Sequence, residues 1–198
     1  GLAGGGGAGP CGAPPAAALG VAMGLPAASA SPSIASLDLG SSTLVHRIAL
    51  PAPALVACYE PHANLVCLGG ADGVVRTYDV RSRGLAGSCS PYGRGCGISQ
   101  LDTSAYSVVV AAVRSRLSPL GETELVADAV LKTLDLRSLR PQADVLFERG
   151  AAAVRWHPPS GSLVALSATG FAAMLDARGG ACVEPRAPLA EAALSASE

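Results

Sequence analysis

The sequence predicts an all-β chain built as a partial β-propeller, and three observations carry that expectation. Runs of four to seven residues rich in Val, Leu, Tyr and Thr are punctuated by Gly, Pro, Ser and Asp, the pattern of short strands and turns. A large apolar residue followed by Asp recurs at Asp38, Asp79, Asp135 and Asp176, at intervals of 41, 56 and 41 residues, so the middle interval is the same period with an insertion of 15. A second marker agrees: "YEP" ends at Pro61 and "WHP" at Pro158, 97 residues later, the distance the last two intervals require. A unit of about 41 residues with four strands cannot bury both faces of its sheet alone, whereas sheets stacked around an axis cover one another.

Taken in order, residues 1–30 are Gly, Ala, Pro and Ser without a period, and such a flank buries too little apolar surface to offset the entropy of ordering it, so disorder is expected. Within it, residues 16–30 imitate the apolar core of a secretion signal. No basic residue precedes them and the first charge is Asp38, which favours a low-complexity flank. The propeller is expected over residues 31–184, with about three blades plus a partial one, and residues 185–198 are read as a tail or linker. A closed ring needs at least four blades, so the chain is read as a fragment, a truncated product or a piece that depends on further blades.

The expected strands are "LVACYE", "LVCLGG", "VVRTYDV", "SVVVAAV", "LKTLDLR", "AAVRWHP", "LVALSA" and "FAAMLDA". "SVVVAAV" and "LVALSA" are apolar at successive positions, which predicts burial on both faces of their sheets. Asp72-Gly73 suits a two-residue type I′ turn, with positive φ at both residues, between the second and third strands of a blade. Asp79 then closes the third strand, seven residues after Asp72, and the same spacing separates Asp128 from Asp135 and Thr169 from Asp176. The insertion, Arg114 to Val130, is expected to be a long hairpin loop.

Composition narrows the function. The formal charge is −1 and Lys132 is the only lysine, which argues against electrostatic capture of nucleic acid as the main work. Arg76, Arg81, Arg137, Arg140 and Arg155 are scattered and read as solvated blade edges in preference to an RNA groove. The six cysteines form no C-x-x-C and have no His at ligand spacing. Cys58 and Cys67 read as buried free thiols in a reducing compartment; Cys89 and Cys96 could pair across a loop, but nothing in the sequence requires it. No run is long and apolar enough to suggest a membrane span.

No residue is assigned a catalytic, cofactor-binding or metal-ligating role. His46, His62 and His157 lie near no nucleophile in a known motif. The Asp pairs follow the repeat and do not converge, and Gly4 to Gly7 lack the Lys-Ser or Lys-Thr of a phosphate loop. Trp156 admits two readings, a stacking platform for a base or a core residue beside Val154, and the core is favoured.

Over residues 34 to about 183 the sequence resembles the WD-repeat family. Tyr78, Leu37, Leu134 and Leu175 stand where that family often has Trp, and its Gly-His dipeptide is absent, so the blades are degenerate. From Ile98 onward the run through Ala177 resembles, more narrowly, the N-terminal propeller of the exonuclease-bearing subunit of the PAN poly(A)-specific ribonuclease complex. Ser115-Arg116 after a strand, the extended loop, Asp128, Leu134 to Arg137, Pro158 and Ser167 to Gly170 match that order, with Leu134 in place of the family's Tyr. The resemblance implies a non-catalytic scaffold within a cytoplasmic protein that shortens mRNA poly(A) tails, with the P-body as a further expected location. It also implies a pseudokinase-like regulatory subunit as partner, indirect contact with poly(A) RNA through its coat protein, and no cofactor in this segment, the Mg-dependent exonuclease lying elsewhere. The alternative is a generic WD-repeat interaction adaptor in another pathway.

Overall fold

A computed structural model describes residues 31–38, 43–157, 160–178 and 184–186. The flank 1–30, Pro158 and most of the tail beyond 184 lie outside them. The described residues contain strands and turns in four antiparallel sheets. A half-blade pairs β1 (Ser33–Asp38) with β2 (Thr43–Ala49). Blade one is the meander β3 (Ala54–Glu60), β4 (Leu65–Gly70), β5 (Val75–Asp79) and β6 (Gly84–Cys89). Blade two runs β7 (Cys96–Thr103), β8 (Ser107–Leu117), β10 (Val130–Asp135) and β11 (Pro141–Leu146), with β9 (Thr123–Ala127) as an extra strand on β8. Blade three is β12 (Ala153–His157), β13 (Ser162–Leu166), β14 (Ala172–Asp176) and β15 (Glu184–Arg186). Its last strand straddles the boundary drawn at 184.

The recurring Asp has the same work in all three blades. After the third strand its carboxylate accepts main-chain N–H bonds from the turn: Asp79 from Arg81 at 2.7 Å, Asp135 from Ser138 at 2.7 Å, Asp176 from Arg178 at 2.9 Å. This is an Asx turn, which an Asp side chain nucleates because it satisfies amides that the strand can no longer pair. The apolar residue before it points toward the preceding sheet and is buried: Tyr78 against the half-blade, Leu134 against blade one, Leu175 against blade two.

The core is therefore three layers between sheets. Ile34 and Leu50 meet Val66, Leu68 and Tyr78; Leu65, Cys67 and Val75 meet Ile98, Val108, Val110 and Leu134; Val109, Ala111 and Leu131 meet Val154, Leu163 and Leu175. Strands β4 and β8 contribute to a layer on each face, as the unbroken apolar run of β8 requires.

Three expectations are corrected. Strand β13 is buried on one face only, with Val164 37% exposed, because no sheet among the described residues covers the far side of blade three. The Asp72-Gly73 turn is not type I′: Gly73 has φ of 75° but Asp72 does not have positive φ. Gly70 instead closes a three-residue loop, donating to Val74 at 2.9 Å and accepting from Gly73 at 3.1 Å, and only the last loop residue needs the left-handed conformation. Ser118 to Glu122 and Ser167 to Phe171 repeat this pattern, with Gly121 and Gly170 in the place of Gly73.

The third correction concerns the insertion. It is not a loop but a β-ribbon: β8 continues to Leu117, turns at Ser118 to Glu122, and returns as β9. The structural counterpart of Asp72 at that turn is Leu120, so the insertion lengthens an ordinary blade hairpin from its root. Asp128 keeps its spacing from Asp135 but sits at the ribbon's base, where it accepts from Val130 N–H at 3.0 Å much as Asp72 accepts from Val74.

Candidate functional site

The meander puts two sets of turns at opposite rims. On one rim, the β3–β4 turn, the β7–β8 turn and the β10–β11 turn enclose a hollow of about 350 Å³ lined by His62, Ala63, Ala105, Tyr106 and Arg137. On the other rim stand the three-residue turns and the ribbon. Its root is braced from both sides. Arg114 Nε donates to Asp128 Oδ2 at 2.8 Å, and the Tyr92 hydroxyl, pushed to a high pKa by burial, lies 2.7 Å from the carbonyls of both Val110 and Val130, sharing its one proton between them. Beside it the Lys132 ammonium lies 5.6 Å from the Tyr92 ring centre and 2.8 Å from Asp144. On the blade-one turn, Arg76 grips Asp72 with both nitrogens and holds its carboxyl below the usual carboxylate range.

Beyond its root the ribbon leaves the body of the molecule. Cross-strand partners Leu117 with Thr123 and Ser115 with Leu125 share one face, and Arg116 with Glu124 and Arg114 with Val126 share the other. The first face continues at the root to Ala127, which packs so closely on Gly150, between β11 and β12, that a Cβ there would meet its methyl at 2.6 Å. Leu117 is 73% exposed, Leu125 74% and Leu120 at the tip 86%. Among the described residues Arg116, Glu122 and Glu124 make no ion pair.

The residues weighed from the sequence fall mainly into structural roles. Trp156 is half-buried against the layer between blades two and three; its main-chain N–H donates to Asp102 Oδ2 at 2.7 Å and its indole N–H to the Asp102 carbonyl at 3.2 Å. That is the core reading, with a polar strap to β7 that no sequence signal announced. His157 meets a serine, Ser160, at 2.7 Å from Nδ1, in no motif of nucleophilic catalysis. Both are exposed, no carboxylate among the described residues orients the imidazole, and Ser160 also bonds the His157 carbonyl and Ser162 N–H, so the pair closes the β12–β13 turn.

Cys58 and Cys67 face each other across β3 and β4 as free thiols, and the bond to Cys58 together with burial pushes the Cys67 thiol up. Cys89 and Cys96 are likewise free. No group of three or more His, Cys, Asp or Glu among the described residues is placed to hold a metal ion. No described helix is long and apolar enough to cross a membrane.

Four-stranded meanders stacked face to face, each with an Asp-closed third strand, define a partial WD-repeat β-propeller. Among solved structures the chain is similar to the WD40 domain of Neurospora crassa Pan2, at 20% identity and a TM-score of 0.60 over 73% of this chain. The chain spans 43% of the length of that structure. No family model matches the sequence, and no curated protein does. Some 740 solved chains share the fold, so the fold by itself selects no pathway.

Proposed function

We propose that the chain is the non-catalytic WD-repeat scaffold segment of a cytoplasmic poly(A)-specific 3′-exoribonuclease subunit that shortens mRNA poly(A) tails. The observation that carries this reading is the order of features from Ile98 onward, above all the strand running through Ser115-Arg116 into an extended insertion before the Asp-closed strand. The likeness to the Pan2 WD40 domain supports it. On this reading the propeller helps position a pseudokinase-like regulatory subunit and, through poly(A)-binding protein, the RNA. Hydrolysis belongs to an exonuclease domain elsewhere in the whole protein, where Mg would serve.

Purification of the intact protein under native conditions tests this. The pseudokinase-like subunit is expected to co-purify in stoichiometric amount; a ubiquitin-ligase core in its place would overturn the reading and favour the adaptor alternative. The chain alone is expected to leave poly(A) intact in a degradation assay, and shortening of the RNA by it would require an enzyme reading instead.

A further inference from the structure

We propose that the open edge of β9 is a docking site for an extended segment of a partner protein, which adds as a third strand to the ribbon with apolar residues at alternate positions and a basic residue between them. The inference goes beyond the deadenylation reading and stands whichever pathway the propeller serves.

Hydrogen bonding across the ribbon fixes which amides are free. Ser118 N–H donates to the Glu122 carbonyl at 2.7 Å at the tip and Asp128 N–H to the Ala112 carbonyl at 2.8 Å at the root. In an antiparallel pair, alternate residues turn their main-chain groups toward the neighbouring strand. Glu124 and Val126 therefore face β8, and Thr123 and Leu125 present N–H and C=O outward. Among the described residues β9 pairs with β8 alone. Edges are blunted by Pro, a bulge or charged side chains, Lys above all; β9 carries no Pro, Lys or bulge, its pairing with β8 runs without a register break, and its one charge is Glu124.

Three properties specify the occupant. The outward amides call for a strand, because main-chain bonds to an edge supply affinity whatever the side chains. The Leu117 and Leu125 face, which ends at its root on Ala127 packed against Gly150, calls for apolar residues at every second position of that strand. On the opposite face Glu124 lies next to the edge and Arg116 one strand further away, which favours a basic residue beside β9.

A second copy of this chain fits less well. Two-fold pairing of β9 with itself about Leu125 sets Glu124 of each copy on the same face at diagonal positions, a like-charge arrangement. The leucines also offer a patch on the order of a few hundred Å², below the roughly 800 Å² per partner of a stable interface.

The test is fluorescence polarisation on the full chain with a short capped peptide alternating valine and lysine. Controls are the same residues in block order and an alternating valine–glutamate peptide. The alternating lysine peptide is expected to bind at least about tenfold more tightly than either control. Thr123→Pro removes an edge N–H without touching the bonds to β8 and is expected to abolish binding, with an unchanged circular dichroism spectrum. Glu124→Lys is expected to reverse the preference toward the glutamate peptide. No binding, equal binding of the block-order peptide, or indifference to both substitutions overturns the proposal. Self-association in sedimentation that Leu125→Ser abolishes overturns it too, in favour of a second copy. None of these outcomes bears on deadenylation.

Discussion

Thr77 and Thr133 occupy the same place in successive blades, two residues before the closing Asp, and both are buried. Their hydroxyls differ. Thr133 Oγ1 donates to the Ala143 carbonyl at 3.3 Å, with the Ala177 carbonyl of the next blade at 3.5 Å, whereas Thr77 Oγ1 has no hydrogen-bond partner among the described residues. Valine replaces the hydroxyl by a methyl of similar size and suits a strand equally well. At Thr77 the exchange removes a polar group whose unpaired burial costs about 1–3 kcal/mol, so Thr77→Val is expected to stabilise by roughly 1 kcal/mol. At Thr133 it removes a long bond and leaves a carbonyl less satisfied, so Thr133→Val is expected to destabilise by about 0.5–1.5 kcal/mol. With a urea slope of about 1–3 kcal/mol per molar, the two midpoints should separate by roughly 1 M, the first above wild type and the second below. Shifts of the same sign and size in both variants would refute the assignment of the two hydroxyls to different environments.

Two further perturbations follow from the packing and the charges. Gly69→Ala would bring a Cβ to 2.7 Å from Val56 Cγ1 and against Ile98, in the layer between blades one and two; overpacking there is expected to cost about 1–3 kcal/mol, read as a lower urea midpoint. Asp72 titrates below the usual range, chiefly through its bond from Arg76 and secondarily through the Val74 N–H. A lowered folded-state pKa gives stability that is fully present above about pH 4 and is lost as pH falls through the lower folded value. Asp72→Asn is therefore expected to be less stable than wild type near neutrality and to close that gap on acidification, measured by urea midpoints at a series of pH values.

Much of the architecture was legible because it repeats. Asp79, Asp135 and Asp176 each close a third strand with the same turn, and a spacing that serves one blade serves all. The strands that sequence reading passed over, β1, β2, β6, β7, β9, β11 and β15, are mixed or polar, for example "GLAGSC" and "PQADVL". Several lie at sheet edges, where one side needs no apolar cover, and without a buried stripe there is little period to detect. The ribbon was misjudged for a related reason. "RSRLSPLGETELVADAV" carries Ser, Pro and Gly at its centre, which read as loop, yet Ser118, Pro119 and Gly121 occupy only the five-residue turn that separates β8 from β9.

The sequence by itself determined the strand-rich class, the period and the identity of the turn residues, because these depend on local backbone preferences and on alternation within a few residues. It also placed the inserted segment between the correct strands. Only the tertiary structure decided which faces are covered: Val164 in an apolar run is partly exposed for want of a sheet beyond it, and Leu117 and Leu125 stand in solvent although their composition suits a core. Burial is a property of what lies opposite a side chain, and a strand's own residues do not specify its neighbour. The same holds for Trp156 and Asp102, whose 2.7 Å bond spans 54 positions and exists only because two blades stack.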